Sequence, residues 1–550
     1  MTRVATTAFL MVFSLARPIA AQQADLIIYG RIWTGDRVHP AGEAIAIRGD
    51  RIVKVGTRSQ MLDYVGRGTR ILDNGRNLVV PGFGDAHTHF LEGGFQLVSV
   101  DLRDAGSPTE FVRRIAVFAR GQPAGRWITG GDWDHELWPG STLPRRQWID
   151  SVTPGNPVFV SRLDGHMGVA NGQALRMAHI DRTTPDPPGG LIVRDSAGEP
   201  TGVLKDNAMD RLFAAMPAPA PEQADSALQR AMRWAAEHGV TTVHTMSDWG
   251  DFAVLRRARA RDAMITRVRA YVQIGGWRRL ADTVRVAGRG DAWLTWGGLK
   301  GFMDGSLGST TAAFYAPYLD APTARGLLTA DSAERRQEIL SADSAGLQIA
   351  VHAIGDRANA MVLVFYEEAI RRNGSRDRRF RVEHAQHLRQ QDIPRFGMLG
   401  IIPSMQPYHA IDDGRWAANR LDTARLRGTY AFKTLLGTGA RLAFGSDWTV
   451  APLDPIQGIY AAVTRRTIDG KNPGGWFPEQ RITLEEALRA YTSGVAWAGF
   501  MEGEVGILRP GMLADVTLLD RDLFHERPEN LGQAHVTATV VGGRVVYQRR

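Results

Sequence analysis

His87 and His89 stand two residues apart in Pro81-Gly-Phe-Gly-Asp-Ala-His-Thr-His89, so in an extended chain both imidazoles leave from the same face. Two imidazoles held that way can bind one divalent ion. Three further residues of ligand type, His352, His384 and Asp447, close or follow the short apolar runs Gln348-Ile-Ala-Val-His352, Phe380-Arg-Val-Glu-His384 and Arg441-Leu-Ala-Phe-Gly-Ser446. Any one of them has an ordinary reading as a hydrogen-bonded core residue; together with the His-x-His pair they point to one centre. The chain has no cysteine, so a metal has only histidines and carboxylates to hold it. Lys300 lies inside a similar run, Gly297-Gly-Leu-Lys-Gly-Phe302. A buried ammonium is costly unless paired or neutralised. It has two explanations: an ion pair with Asp304 or Glu383 or an outward-facing position, or an amine of lowered pKa that reacts with CO₂ to give a carbamate able to bridge two metals.

For these side chains to meet, their segments must run side by side. Eight strand-length runs fit: Leu78 to Asp85, Val240 to His244, Arg267 to Gln273, Gly297 to Phe302, Gln348 to His352, Phe380 to His384, Ile401 to Met405 and Arg441 to Ser446. Helical patterns alternate with them, which predicts parallel βα units. Eight such units close an α/β, (β/α)₈ TIM barrel over residues 79–504, with its chemistry at the C-terminal strand ends. The first two strands are about 150 residues apart, so residues 95–230 are an insertion folding over the active-site mouth. Hairpin signals near both termini, Gly49-Asp50 and Gly542-Gly543 between β-branched runs, predict one small composite β-sandwich domain from residues 22–78 and 505–550. Thr483-Leu-Glu-Glu486 is a capping box opening a helix to about Trp497.

Residues 1–21 read as a signal peptide: Arg3, an apolar run of roughly a dozen residues, then Ile19-Ala20-Ala21 before cleavage. The expectation is an exported protein, periplasmic or secreted. The run is shorter than the roughly 20 residues of a membrane span, and no later segment reaches that length. The net charge of +8 comes from arginine scattered along the chain, which gives no nucleic-acid footprint. Its densest run, Arg371 to Arg379, reads as a solvated loop. The implied partner is a small-molecule substrate, with a homo-oligomer open.

The segment from Pro81 to His89 resembles the first-strand signature of the amidohydrolase superfamily, and the resemblance runs from about residue 25 to the C-terminus. Lys300-Gly-Phe-Met-Asp-Gly-Ser-Leu-Gly-Ser-Thr-Thr-Ala312, Val351-His-Ala-Ile-Gly-Asp-Arg-Ala358, Arg381-Val-Glu-His-Ala-Gln386 and Gly445-Ser-Asp-Trp448 are similar to its amidohydrolase 3, or YtcJ-like, subgroup. That resemblance implies a two-metal site. His87, His89 and Asp447 would hold one ion, His352 and His384 the other, and carboxylated Lys300 would bridge both. It implies Asp447 as general base as well. Nitrogen and oxygen ligands suit two Zn²⁺ ions, with Mn²⁺ and Fe²⁺ as alternatives. His166, in Arg162-Leu-Asp-Gly-His166, is implied to reach the mouth and hydrogen-bond the substrate or the developing oxyanion. Trp133 and His135 are expected to line the same pocket, with a structural role as the equal alternative for Trp133, and Asp85 to hold a ligating histidine from behind.

These readings lead to a metal-dependent hydrolase of C–N bonds, in an amide or N-substituted formamide. The alternatives are a mononuclear deaminase-type enzyme with Lys300 unmodified, and a non-catalytic exported binding protein on the same fold. A serine hydrolase lacks its Gly-x-Ser-x-Gly. A two-carboxylate glycosidase would leave the histidines unexplained.

Overall fold

The structure, a computed structural model, describes residues 23–550; the signal-peptide reading of residues 1–21 lies outside the described residues. Eight parallel strands pair in chain order: Phe83–Thr88, Val240–Ser247, Arg267–Gln273, Leu294–Phe302, Gln348–Ala353, Arg381–His384, Ile402–Met405 and Ala443–Phe444. A parallel bridge from Thr88 to Trp448 closes the ring, and the Asp447 N–H donates to the His87 carbonyl at 2.7 Å. This is the (β/α)₈ barrel.

Side-chain alternation sorts the barrel's two faces. In the third strand Val268, Ala270 and Val272 join the large apolar core under the surrounding helices, while Arg269 and Tyr271 point inward. Ile349, Val351 and Ala353 do the same in the fifth strand, leaving Gln348 and His352 inside. Gly298 makes this possible in the fourth, because a Cβ there would stand 2.4 Å from the Tyr271 ring.

The termini form one hydrogen-bonded sheet of seven strands. Its middle strand, Arg70–Pro81, runs parallel to Leu26–Trp33 on one side and antiparallel to Val516–Leu519 on the other. The expected barrel strand from Leu78 therefore divides in two: Leu78 to Pro81 belong to this sheet, and the barrel begins at Phe83. The chain crosses at Gly82, where a Cβ would lie 2.3 Å from the Thr241 hydroxyl. Arg267 and Asp515, both buried, lock barrel to terminal sheet with a bidentate pair at 2.7 and 2.9 Å. Removing one partner of such a pair costs about 3–5 kcal/mol.

Between the first two barrel strands a separate six-stranded sheet forms, in the order Gly190–Arg194, Pro200–Asp206, Met167–Ala170, Phe159–Arg162, Gly130–Trp133, Val100–Asp101. Two expectations need correction. The capping box at Thr483 opens Leu484–Ala490, but the helix stops there and a second, Ser493–Ala498, follows. The Tyr491 carbonyl leaves the helix to accept the Gly84 N–H of the first barrel strand at 2.6 Å. The basic run is solvated only over residues 371–377, which are exposed. Arg378 and Arg379 are buried, Arg378 on Asp343 at 2.9 Å and Arg379 on Glu502 at 2.6 Å. Among the described residues no helix is long and apolar enough to cross a membrane.

Candidate metal centre

At the C-terminal mouth of the barrel, ligand atoms of His87, His384 and Asp447 all lie within 4.8 Å of one another. His89 joins through Asp447, whose Oδ1 is 3.4 Å from Nε2 of both His87 and His89. Lys300 joins through His87, with Nζ 3.1 Å from Nε2. His352 stands beside the group, its ring 4.5 Å from that of His384. Strand alternation would turn His384 away if Glu383 faced inward; a positive φ of 73° at His384 and 43° at Ala385 lets both reach the interior. Asp447 has φ 60°, another strained conformation of the kind that gathers at functional sites.

Partners behind the centre fix which nitrogen faces in. His87 Nδ1 meets Glu383 Oε2 at 2.5 Å, leaving its Nε2 to the centre, and His384 Nδ1 meets Gln406 Oε1 at 2.8 Å while lying 3.9 Å from Asp447 Oδ2. Glu383 in turn takes a fork from Arg381, with Nε to Oε1 at 2.7 Å and Nη2 to Oε2 at 3.0 Å. Arg381 also reaches His244 and Tyr271, each at 2.8 Å, so a charged network fills the barrel where aliphatic layers are usual. Asp85 does not hold an imidazole. Its carboxylate accepts the backbone N–H groups of His87 and Ser446, tying the first strand to the loop that carries Asp447.

Burial first, and then the Lys300 charge, hold His87 well below its usual pKa; burial likewise holds His352 and His384 down, so all three are neutral, as ligands must be. Burial would push the Asp447 carboxyl up, but His87 and His89 bring it below the usual range. Its Oδ1 is buried and has no hydrogen-bond partner. An orphaned carboxylate oxygen set between two imidazoles fits a divalent ion that prefers nitrogen and oxygen ligands. Burial lowers the Lys300 ammonium to about 8. The ion-pair explanation fails for it: Glu383 is committed to Arg381 and His87, and Asp304 accepts the backbone N–H groups of Ala313, Ile354 and Gly355.

The insertion supplies one wall of the cavity over this centre. His166 stands there, its ring 4.8 Å from that of His352 and its Nδ1 2.6 Å from Asp206 Oδ1. Arg162 lies beside it, held by Asp134 and Asp164, each at 2.8 Å. Trp133 and His135 are not on the cavity. Trp133 is fully buried in the insertion's own core, donating its indole N–H to the Val160 carbonyl at 2.9 Å. His135 sits behind Arg162, 3.3 Å from its Nε. His409 was assigned no role in the sequence, yet it lines the cavity with a buried Nε2 that has no partner and a ring stacked 6.3 Å from His384. Its place between Tyr408 and Ala410, outside every strand-length apolar run, gave no signal; Glu383 did have one, since Arg381 and Glu383 share a face two residues apart in a strand that ends in a ligand.

Comparison with known proteins gives a coherent set. A family model described as "Amidohydrolase family" matches residues 72–547. The chain is 40% identical to Protein LONG AFTER FAR-RED 3 of Arabidopsis thaliana, over 96% of this chain and 93% of that protein. It is 31% identical to the putative amidohydrolase YtcJ of Bacillus subtilis (95% and 98% covered) and 29% identical to an N-substituted formamide deformylase of Arthrobacter pascens (96% and 99%). Among solved structures, an uncharacterized metal-dependent hydrolase from Pyrococcus horikoshii superposes with a TM-score of 0.73 at 27% identity, over 92% of this chain and 99% of that one.

Proposed function

The chain belongs to the amidohydrolase family, and we propose that it is a metal-dependent hydrolase cleaving a C–N bond of the amide or N-substituted formamide type by attack of water. The observation that carries this reading is the buried, unpartnered Oδ1 of Asp447, set 3.4 Å from two imidazole nitrogens. The deformylase and the Pyrococcus hydrolase support it from outside. His87, His89 and Asp447 would hold one Zn²⁺, and His352 and His384 a second. Lys300, carboxylated, would stand between them: its amine forms an N–C bond to CO₂ and loses a proton, a step favoured by an ammonium pKa already lowered to about 8.

When bound, such ions lower the pKa of water and polarise a substrate carbonyl. The remaining steps fall to the chain's own groups. Asp447 Oδ2, the oxygen not shared by the two imidazoles, takes a proton from the attacking water and returns it to the leaving nitrogen. Burial alone would lower the His166 pKa, but Asp206 raises it overall, so Nε2–H can donate to the oxyanion forming on the carbonyl. A second reading, one ion with Lys300 unmodified, is favoured by the tightness of the His87, His384, Asp447 group. We also propose export on residues 1–21; continued export of a chain lacking them would end that reading.

Asp447→Asn tests the mechanism on a panel of amides and N-substituted formamides. It should lower kcat about 10³-fold, within the span of general-base catalysis. Turnover near that of the wild type would remove Asp447 as the base.

A further inference from the structure

The loop that carries Asp447 is held from two directions. On the barrel side, Asp85 accepts the Ser446 N–H at 3.0 Å, the His87 carbonyl accepts the Asp447 N–H at 2.7 Å, and the Ser446 hydroxyl accepts the Trp448 N–H at 3.0 Å. The next two carbonyls turn the other way. Arg103, in the insertion, donates through Nη1 to the Val450 carbonyl at 2.7 Å and through Nη2 to the Thr449 carbonyl.

The guanidinium is itself aimed. Asp132 Oδ2 lies 3.4 Å from Arg103 Nη2 and also accepts from the Gln96 amide, which stands 3.4 Å from the Thr449 carbonyl. Asp132 takes a positive φ of 60° to do this. Three elements thus converge on two peptide groups: the end of the helix after the first barrel strand, the turn after Val100–Asp101 and the strand Gly130–Trp133. A left-handed aspartate persists only where its surroundings over-determine it. At Asp447 the barrel supplies one half of that constraint and the insertion the other.

We propose that Arg103 is a positioning residue for Asp447, and that the insertion, beyond covering the mouth, latches the general base through the Gln96, Asp132, Arg103 group. This rests on the hydrolytic reading for what Asp447 does, though not for where it is held. Arg103 does not itself line the cavity; it acts by keeping the 447–450 turn wound, and a displacement of about 1 Å at a reacting group can cost about 100-fold in rate.

The experiment compares the metal-loaded full-length wild type with Arg103→Met and Arg103→Lys. It reads kcat and KM on the amide panel, metal content, and hydrogen–deuterium exchange of peptides spanning 446–450. Arg103→Met should lose roughly 10- to 100-fold in kcat, with KM and metal content near wild type and faster exchange confined to that turn. Arg103→Lys, which keeps the charge and a donor, should fall between. A folded Arg103→Met with unchanged exchange and kcat would overturn the latch. If Arg103→Met does not fold, unchanged exchange in Arg103→Lys does the same. Faster exchange in the variants beside a wild type that cleaves nothing on the panel would sink the hydrolase reading and leave the latch standing.

Discussion

Asp164 illustrates how much the mouth depends on single charges. Burial by itself would raise its carboxyl, but Arg162 at 2.8 Å and the nearby His166 hold it well below the usual carboxylate range, helped by the Ser306 and Ser309 hydroxyls. A folded-state pKa below the unfolded value of about 3.9 adds stability that is complete above that pH and is lost as pH falls through the folded value. Asp164→Asn should therefore cost about 2 kcal/mol at pH 7, the order of a charged hydrogen bond, and urea midpoints should show the gap to wild type closing below about pH 4. A gap that persists unchanged into acid would mean that the carboxylate charge is not its source. The same residue scale shows what a sequence can and cannot reveal. His87, His89, Lys300, His352, His384 and Asp447 were legible because each sits at or near the end of an apolar run, and those ends converge on one mouth. The pocket reading of Trp133 and His135 fails because their directions depend on the insertion's own packing, which takes Trp133 into its core, the structural alternative, and sets His135 behind Arg162. The sequence left Lys300 two explanations, and of these the ion pair with Glu383 is taken away by the commitment of that carboxylate to Arg381 and His87.

At the scale of elements, the barrel strands were legible because short apolar runs of strand length alternate with helical patterns along the chain. Arg267–Gln273 falls where its pattern puts it, and most others differ by one to three residues at an end. The first strand is the exception, since Leu78 to Pro81 is apolar on both sides of a sheet boundary that only the close approach of Gly82 to Thr241 reveals. Helix Leu484–Ala490 was misjudged in length for a similar reason: the carbonyl of Tyr491, just past its end, serves the first barrel strand, a tertiary demand that helix periodicity does not carry. The insertion's six strands stayed hidden. They run from two to seven residues and pair both parallel and antiparallel, too short and too mixed to leave a period.

Across the whole molecule, three sheets divide the work. The terminal sheet closes the bottom of the barrel through Arg267 and Asp515, the barrel aims its inward residues upward through the Arg381 and Glu383 network, and the insertion finishes the mouth. It is fastened to the barrel by Lys205 on the Ser309 carbonyl, Arg415 on Asp134 and Arg420 on Glu136. Among the described residues His87, His384 and Asp447 are the one group of ligand-type side chains close enough to share an ion, so the proposed function stands or falls on what that centre binds. The most direct test is elemental analysis of the purified full-length protein, with hydrolysis of the amide panel measured before and after chelation. About two divalent ions per chain are expected, with cleavage that chelation abolishes and added Zn²⁺ restores. One ion with full activity would contradict the bridging Lys300, and activity that survives complete removal of the ions would contradict the metal centre itself.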